Sequence, residues 1–317
     1  VRPLIVLAGL LLGVLITPLP SAAAEPPVYV ALGDSYASGV GTGSYLDDGS
    51  GCLRSSYAYP GLLAQQHGYT LRFRACAGAT IDHVRAVQLG ALDEGTSLVT
   101  LSVGGNDAGF AEVLTTCAAP WWLARCDPAV DLARRIVRDE LPGRLRLLYA
   151  EVRDRAPHAR VVVVGYPHVF MGEDCDLGTW FSRAEQQRLN ATGDQLNARI
   201  AAAARAAGFS FADPTAAFAG HAVCDDTAWV NGLSLPIGDS YHPSTAGHAE
   251  GLLPLVASLL VDAAPRRGRA PVPSAPTARR EEVRAAPFRA PDLDSRRARR
   301  AAERHGIDIE KWLATHP

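Results

Sequence analysis

An α/β domain built on a parallel sheet covered on both faces is the fold this sequence predicts. Three observations predict it. Short β-branched runs alternate with longer stretches of helical periodicity between residues 28 and 263, the pattern of repeated βαβ units. The best of those runs are apolar almost throughout, as strands buried on both faces are. The first, third and fourth stop at glycine, and in such sheets chemistry gathers where the strands end.

Taken in order, residues 28–32 (Val-Tyr-Val-Ala-Leu) form the first predicted strand and end at Gly33. Residues 71–76 are a second candidate. Residues 97–103 are a third and end at Gly104-Gly105. Residues 160–164 (Arg-Val-Val-Val-Val) are a fourth and end at Gly165; residues 210–212 are a short fifth. Helices are expected over 128–155, where Val130, Ala133, Ile136, Val137, Leu141, Leu145 and Leu148 recur with helical periodicity. A second is expected over 182–207, opened by the capping box Ser182–Glu185, and a third over 244–262.

Both ends differ from this body. Arg2, the apolar run from Leu4 to Ile16, Pro18, Pro20 and the small residues Ala22-Ala23-Ala24 have the form of a secretory signal peptide cleaved after Ala24. An uncleaved anchor is the rival reading, but no basic stop-transfer flank follows. Residues 25–263 are then the catalytic domain. Residues 264–317 are expected to be a Pro/Arg-rich basic tail, largely disordered, with a short helix capped by Asp294 or Ser295 and stopped at Gly306. The chain's net charge of −2 conceals this division: residues 263–317 hold 12 Arg and one Lys against seven acidic residues. The body is acidic and the tail basic. The tail offers contact with an anionic surface, against the plainer reading of a solvated extension. The near-neutral balance argues against a nucleic-acid binder, and a monomer is expected.

Six cysteines in an exported chain suggest disulfides. Fifteen pairings are possible, and the sequential one is the simplest. No Cys-x-x-Cys pair occurs, which counts against zinc, and no metal or cofactor is expected.

Candidate chemistry lies at the strand ends. Ser35 follows the first strand in Gly33-Asp34-Ser35-Tyr36, where a hydroxyl can meet a substrate beside a helix N-terminus. An ordinary helix cap is the competing explanation. A serine nucleophile needs a base and the base an orienting group. His242 in Gly238-Asp239-Ser240-Tyr241-His242-Pro243 is the candidate base, with Asp239 three residues before it. Asn106, in Gly104-Gly105-Asn106-Asp107, offers a side-chain donor to an oxyanion, and Gly78 offers an unobstructed backbone N–H.

Together these four blocks resemble the SGNH or GDSL hydrolases, a family of serine esterases and lipases, over roughly residues 28–263. Tyr36 stands where the family's name has Leu. The resemblance implies a flavodoxin-like three-layer α/β/α sandwich; no Gly-x-Ser-x-Gly elbow of the α/β-hydrolase type occurs. It implies Ser35 as nucleophile, His242 as base and Asp239 as its orienting acid, or the Ser240 carbonyl in its place. It implies an oxyanion hole of Ser35, Gly78 and Asn106. The likeness to secreted actinomycete lipases and esterases further implies the pairs Cys52–Cys76, Cys117–Cys126 and Cys175–Cys224. The expected function is a secreted esterase or lipase acting on fatty acyl esters through an acyl-enzyme. Carbohydrate acetylesterase, phospholipase and a catalytically silent surface-binding relative are the alternatives. Trp121-Trp122 and Phe110 are candidates for an acyl groove or for core packing. Gly39, Gly41 and Gly43 read as flexible backbone near the site. The base is expected to titrate near ~6.5 if unperturbed.

Overall fold

The computed structural model of the protein describes residues 25–261 and 284–316. Residues 1–24, where the export signal is expected, and residues 262–283, which hold most of the expected linker, lie outside the described residues.

Five strands, β1 (Val28–Gly33), β2 (Thr70–Phe73), β3 (Thr96–Ser102), β4 (Arg160–Val164) and β5 (Ser210–Ala212), form one parallel sheet in the order β2-β1-β3-β4-β5. This is the flavodoxin-like order, and its switch point falls between β1 and β3. Their connections carry α1 (Ser35–Ser38), α2 (Tyr59–His67), α3 (Ile81–His83), α4 (Phe110–Cys117), α5 (Cys126–Asp139), α6 (Leu141–Arg155) and α7 (Arg183–Ala206); α8 (Leu253–Val261) follows β5. Successive strand residues point to opposite faces, so the sheet divides its core in two. Tyr29 and Ala31 share one core with Tyr59 and Leu63 of α2 and Val256 of α8. Val30 and Leu32 share the other with Leu145 and Leu148 of α6 and Ile200 of α7. The result is the three-layer sandwich.

Local differences from the expected elements have local causes. The stretch 128–155 is two helices that meet at Glu140, because Pro142 opens α6. A proline without an N–H fits a first turn and not a helix interior. β2 stops at Phe73, after which the N–H groups of Arg74 and Ala75 both turn to the Ala31 carbonyl. The stretch 244–262 starts as a widened π-type turn over Gly247–Leu252 before α8. Gly251 faces the Phe218 ring so closely that a Cβ would lie 2.4 Å from it. The Ser182–Glu185 capping box forms as its spacing suggests. The cysteines join as Cys52–Cys76, Cys117–Cys126 and Cys175–Cys224.

The C-terminal residues depart most from expectation. Residues 284–316 are not a disordered tail: they lie against the body. Ser295, not Asp294, caps α9 (Arg296–His305), and Gly306 ends it in a left-handed conformation. Ala298, Ala301 and Ala302 form a small buried face against Trp122, while Arg296, Arg297, Arg299, Arg300 and Arg304 stay exposed. Helix α10 (Ile309–Leu313) brings Trp312 edge-on to Trp122 at 5.7 Å. The apolar stripe is built from alanine, so arginine dominates the composition and hides it. Trp121 remains 66% exposed beside His305, and neither tryptophan lines the cavity described below.

Gly33 is where the sheet admits no side chain. Its φ is +128°, and a Cβ would lie 2.3 Å from the Ser102 carbonyl oxygen. Gly33→Ala should therefore cost about 3 kcal/mol or more of stability, through strain added to overlap. Urea denaturation checks this; a loss below about 0.5 kcal/mol, the scale of a surface substitution, would contradict it.

Candidate active site

Three strand-end loops and one late turn meet beyond the carboxyl edge of the sheet. At the end of β1, Asp34 caps α1 by accepting the Tyr36 N–H at 3.0 Å, which leaves Ser35 as the first helical residue. Helix α1 is a single turn ended by left-handed Gly39. A helix this short brings only a small dipole to Ser35. Ser35 is 9% exposed and lines a cavity.

The late turn delivers His242. Tyr241 has φ +62°, and its N–H and the His242 carbonyl bond Asn231 from both sides, each at 2.9 Å. The Asn231 side chain donates to the Gly41 carbonyl at 2.8 Å. A Cβ on Gly41 would lie 2.8 Å from the His242 Cβ. Gly41 thus serves close approach: the bare backbone is needed for contact with the histidine turn.

His242 Nε2 is 2.9 Å from Ser35 Oγ, and Nδ1 is 2.9 Å from the Ser240 carbonyl oxygen. A carbonyl can only accept, so Nδ1 carries the proton and Nε2 offers its lone pair to the serine hydroxyl. Two groups are expected as orienting partners of the imidazole, the Ser240 carbonyl or Asp239. Its carboxylate accepts from the Tyr45 hydroxyl at 2.5 Å, and the imidazole is held by the Ser240 carbonyl instead. Tyr241, between that carbonyl's residue and His242, is left-handed, and the acceptor the imidazole meets is main chain.

The donors lie on two neighbouring loops. Asn106 follows left-handed Gly104 and gives one amide N–H to the Ala79 carbonyl at 3.0 Å, which fixes the amide and leaves its second N–H. Among the described residues, the N–H groups of Ser35 and Gly78 have no hydrogen-bond acceptor. Asp107 ties the two loops by accepting the Ile81 N–H at 3.0 Å and pairing with Arg144 at 2.9 Å.

Several supporting groups carry no sequence signal. The Tyr166 hydroxyl, after β4, donates to Asp34 at 2.6 Å and accepts the Gly105 N–H at 3.1 Å. The Gln88 side chain accepts the Gly33 N–H at 2.8 Å and donates to the Gly33 carbonyl at 2.9 Å. These residues lie far apart in sequence in ordinary contexts, so only the folded chain reveals them.

Ser35, His242, Gly78 and Asn106 line one cavity of about 380 Å³, which continues between Phe110, Leu114, Val169, Phe170 and Leu189. Its size is that of a small-ligand site. Phe110 of the sequence candidates thus faces the cavity. Among the described residues no group of three His, Cys, Asp or Glu side chains converges as a metal site.

Burial sets the electrostatics. Desolvation raises the Asp34 carboxyl to about 7, against the Tyr166 and Tyr36 hydrogen bonds that favour its charge. Desolvation lowers His242 to about 4, opposed by the Ser240 carbonyl and the nearby Asp239 charge. A base works when neutral, so lowering its pKa keeps it competent into acid. The free-enzyme kcat/KM for a short ester should rise through a midpoint near pH 4, not near the unperturbed ~6.5. A rate profile with its acid limb at or above ~6.5 would contradict this burial.

Comparison with known proteins finds relatives over most of the chain. Residues 31–250 match the model of the GDSL-like Lipase/Acylhydrolase family. The chain is 43% identical over 240 residues to Lipase 1 of Streptomyces coelicolor, covering 74% of this chain and 88% of that protein. It is similar to the crystal structure of a phospholipase A1 from Streptomyces albidoflavus, with TM-score 0.69 and 42% identity, over 74% of this chain and 99% of that one. It is also similar to an extracellular lipase from Streptomyces rimosus, with TM-score 0.68 and 41% identity, over 73% and 98% of the two chains.

Proposed function

The chain belongs to the GDSL-like lipase/acylhydrolase family and is a carboxylic ester hydrolase, and from that premise we propose that it is an exported serine lipase acting through Ser35 and His242. The observation that carries this reading is the pair of 2.9 Å contacts that ground one imidazole nitrogen on a carbonyl and aim the other at Ser35. Ser35 Oγ attacks the ester carbonyl as its proton passes to His242 Nε2. The oxyanion forms against the Ser35 and Gly78 N–H groups and the free Asn106 N–H. His242 then protonates the departing alcohol, leaving an acyl group on Ser35. Water, deprotonated by the same nitrogen, hydrolyses it and restores the enzyme. The Ser240 carbonyl, the second of the two orienting groups expected, holds the ring and stabilises its positive charge.

The apolar cavity supports a fatty acyl substrate over an acetylated carbohydrate, since an acetyl group would leave Phe110, Leu114 and Leu189 uncovered. Complete hydrolytic geometry argues against a silent surface-binding relative. Three disulfides and the apolar leader support export. Residues 25–263 are taken as the catalytic domain, and the solvent-facing arginines of α9 suit contact with an anionic surface.

Ser35→Ala should lower kcat by about 10⁴-fold or more, and Asn106→Ala by about 10²–10³-fold. Asp239→Asn should lower it only a few-fold, because no hydrogen bond joins that carboxylate to the imidazole. Steady-state hydrolysis of p-nitrophenyl octanoate checks all three. An Asp239→Asn loss as large as that of Ser35→Ala would restore the carboxylate to the machinery.

A further inference from the structure

The residues beyond the family match, which ends at residue 250, return to the cavity. Arg284 donates to the Gly51 carbonyl at 3.2 Å, and the Ala285 N–H donates to the Gly78 carbonyl at 2.8 Å. The Arg289 N–H bonds Thr115 of α4 at 3.0 Å. Residues 284–289 thus run from the oxyanion loop to α4. Ala285, Pro287 and Phe288 line the same cavity as Ser35. The approach is close: a Cβ on Gly78 would lie 2.7 Å from the Ala285 carbonyl oxygen. Phe288 is 3% exposed and meets Tyr241, the neighbour of His242, edge-on at 4.9 Å.

Both anchor points are held by covalent cross-links. Gly51 and Gly78 flank the Cys52–Cys76 bond, and Thr115 and Trp122 flank or lie within the loop of Cys117–Cys126. Beyond Arg289 the chain is docked again by α9 on Trp122 and by the Trp180 indole, which donates to the His316 carbonyl at 3.0 Å. With this segment in place the cavity still holds about 380 Å³ beside Ser35 and His242, so the segment bounds the site without filling it.

We propose that this C-terminal arm is the outer wall of the acyl cavity, and that Phe288 determines the length of acyl chain the enzyme accepts. The proposal rests on the reading of Ser35 as nucleophile. The alanine face of α9 and the two disulfide-pinned loops keep the arm in place, so its aromatic ring is a fixed boundary. Apolar discrimination of this kind is worth roughly 10–200-fold per methylene.

The test is a series of p-nitrophenyl esters from acetate to palmitate, run on the full chain and on three variants. Phe288→Ala should raise the ratio of kcat/KM for decanoate over acetate by about ten-fold. Phe288→Trp should lower that ratio. Ala301→Glu, which buries a charge between α9 and Trp122 far from the cavity, should shift it in the direction of Phe288→Ala by undocking the arm. Melting curves establish that each variant is folded. Chain-length profiles that superimpose on the parent's would overturn the wall. So would an equal rise on every ester, which would make the arm an occluding strap. A parent chain that hydrolyses no ester at all would overturn the serine-lipase reading, and the wall with it.

Discussion

The carboxyl group of Asp34 is the point at which the segments carrying Ser35, Asn106 and His242 are tied together. It stands one residue before Ser35, at the end of a strand buried on both faces. Its two oxygens take the Tyr36 N–H and the Tyr166 hydroxyl, and its own N–H bonds the Ser102 carbonyl of β3 at 2.9 Å. Tyr166 passes the connection to Gly105, beside the Asn106 donor. The Tyr36 hydroxyl passes it to the Tyr241 carbonyl at 2.7 Å, beside His242. The proposed nucleophile, base and oxyanion donor come from segments more than a hundred residues apart at their extremes, yet one hydrogen-bonded network sets their spacing. Such a network positions groups only if each member is satisfied, because an unpaired buried carboxyl is costly. Burial pushes this one up to about 7, and its two donors are what keep it anchored.

The same economy of contacts explains how His242 is oriented. A main-chain carbonyl does for the imidazole what a carboxylate does in other serine hydrolases: it selects the tautomer and fixes the ring. It brings no full charge, so desolvation dominates and the ring's pKa falls. Asp239, buried two residues before Tyr241, acts at one remove by holding Tyr45, whose hydroxyl also accepts the Gly41 N–H at 3.2 Å. Gly33 and Gly41 permit two close approaches, the first of β1 to β3 and the second of the Ser35 loop to the histidine turn.

Much of this was legible in residue order alone. Continuous apolar runs ending in glycine located the strands, since a strand buried on both faces leaves little room for polar residues. Ser35, Gly78, Asn106 and His242 each sit in short, distinctive surroundings. Other features were illegible for physical reasons. A three-residue step from Asp239 to His242 fits either acceptor, and the choice is made by the left-handed backbone at Tyr241, which no sequence rule requires. Tyr166, Gln88 and Tyr45 act through contacts that form only when distant segments meet. The helix of the arm is legible but its docking is not, because Ala298, Ala301 and Ala302 bury little area each and ten-residue α9 is mostly arginine outside that face. Composition reports the exposed side of such a helix, while docking depends on the other.

The central claim is that three donors converge on the oxyanion of an acyl group attacked by Ser35, while one imidazole serves the Ser35 oxygen itself. The most direct measurement is a crystal structure of the enzyme after reaction with an alkyl phosphonate, whose tetrahedral phosphorus imitates the intermediate. The account predicts phosphorus bonded to Ser35 Oγ. It predicts one phosphoryl oxygen about 2.7–3.1 Å from the N–H groups of Ser35, Gly78 and Asn106, with the alkyl chain running between Phe110 and Phe288. An adduct on another residue, or a phosphoryl oxygen turned to solvent away from Gly78 and Asn106, would contradict it.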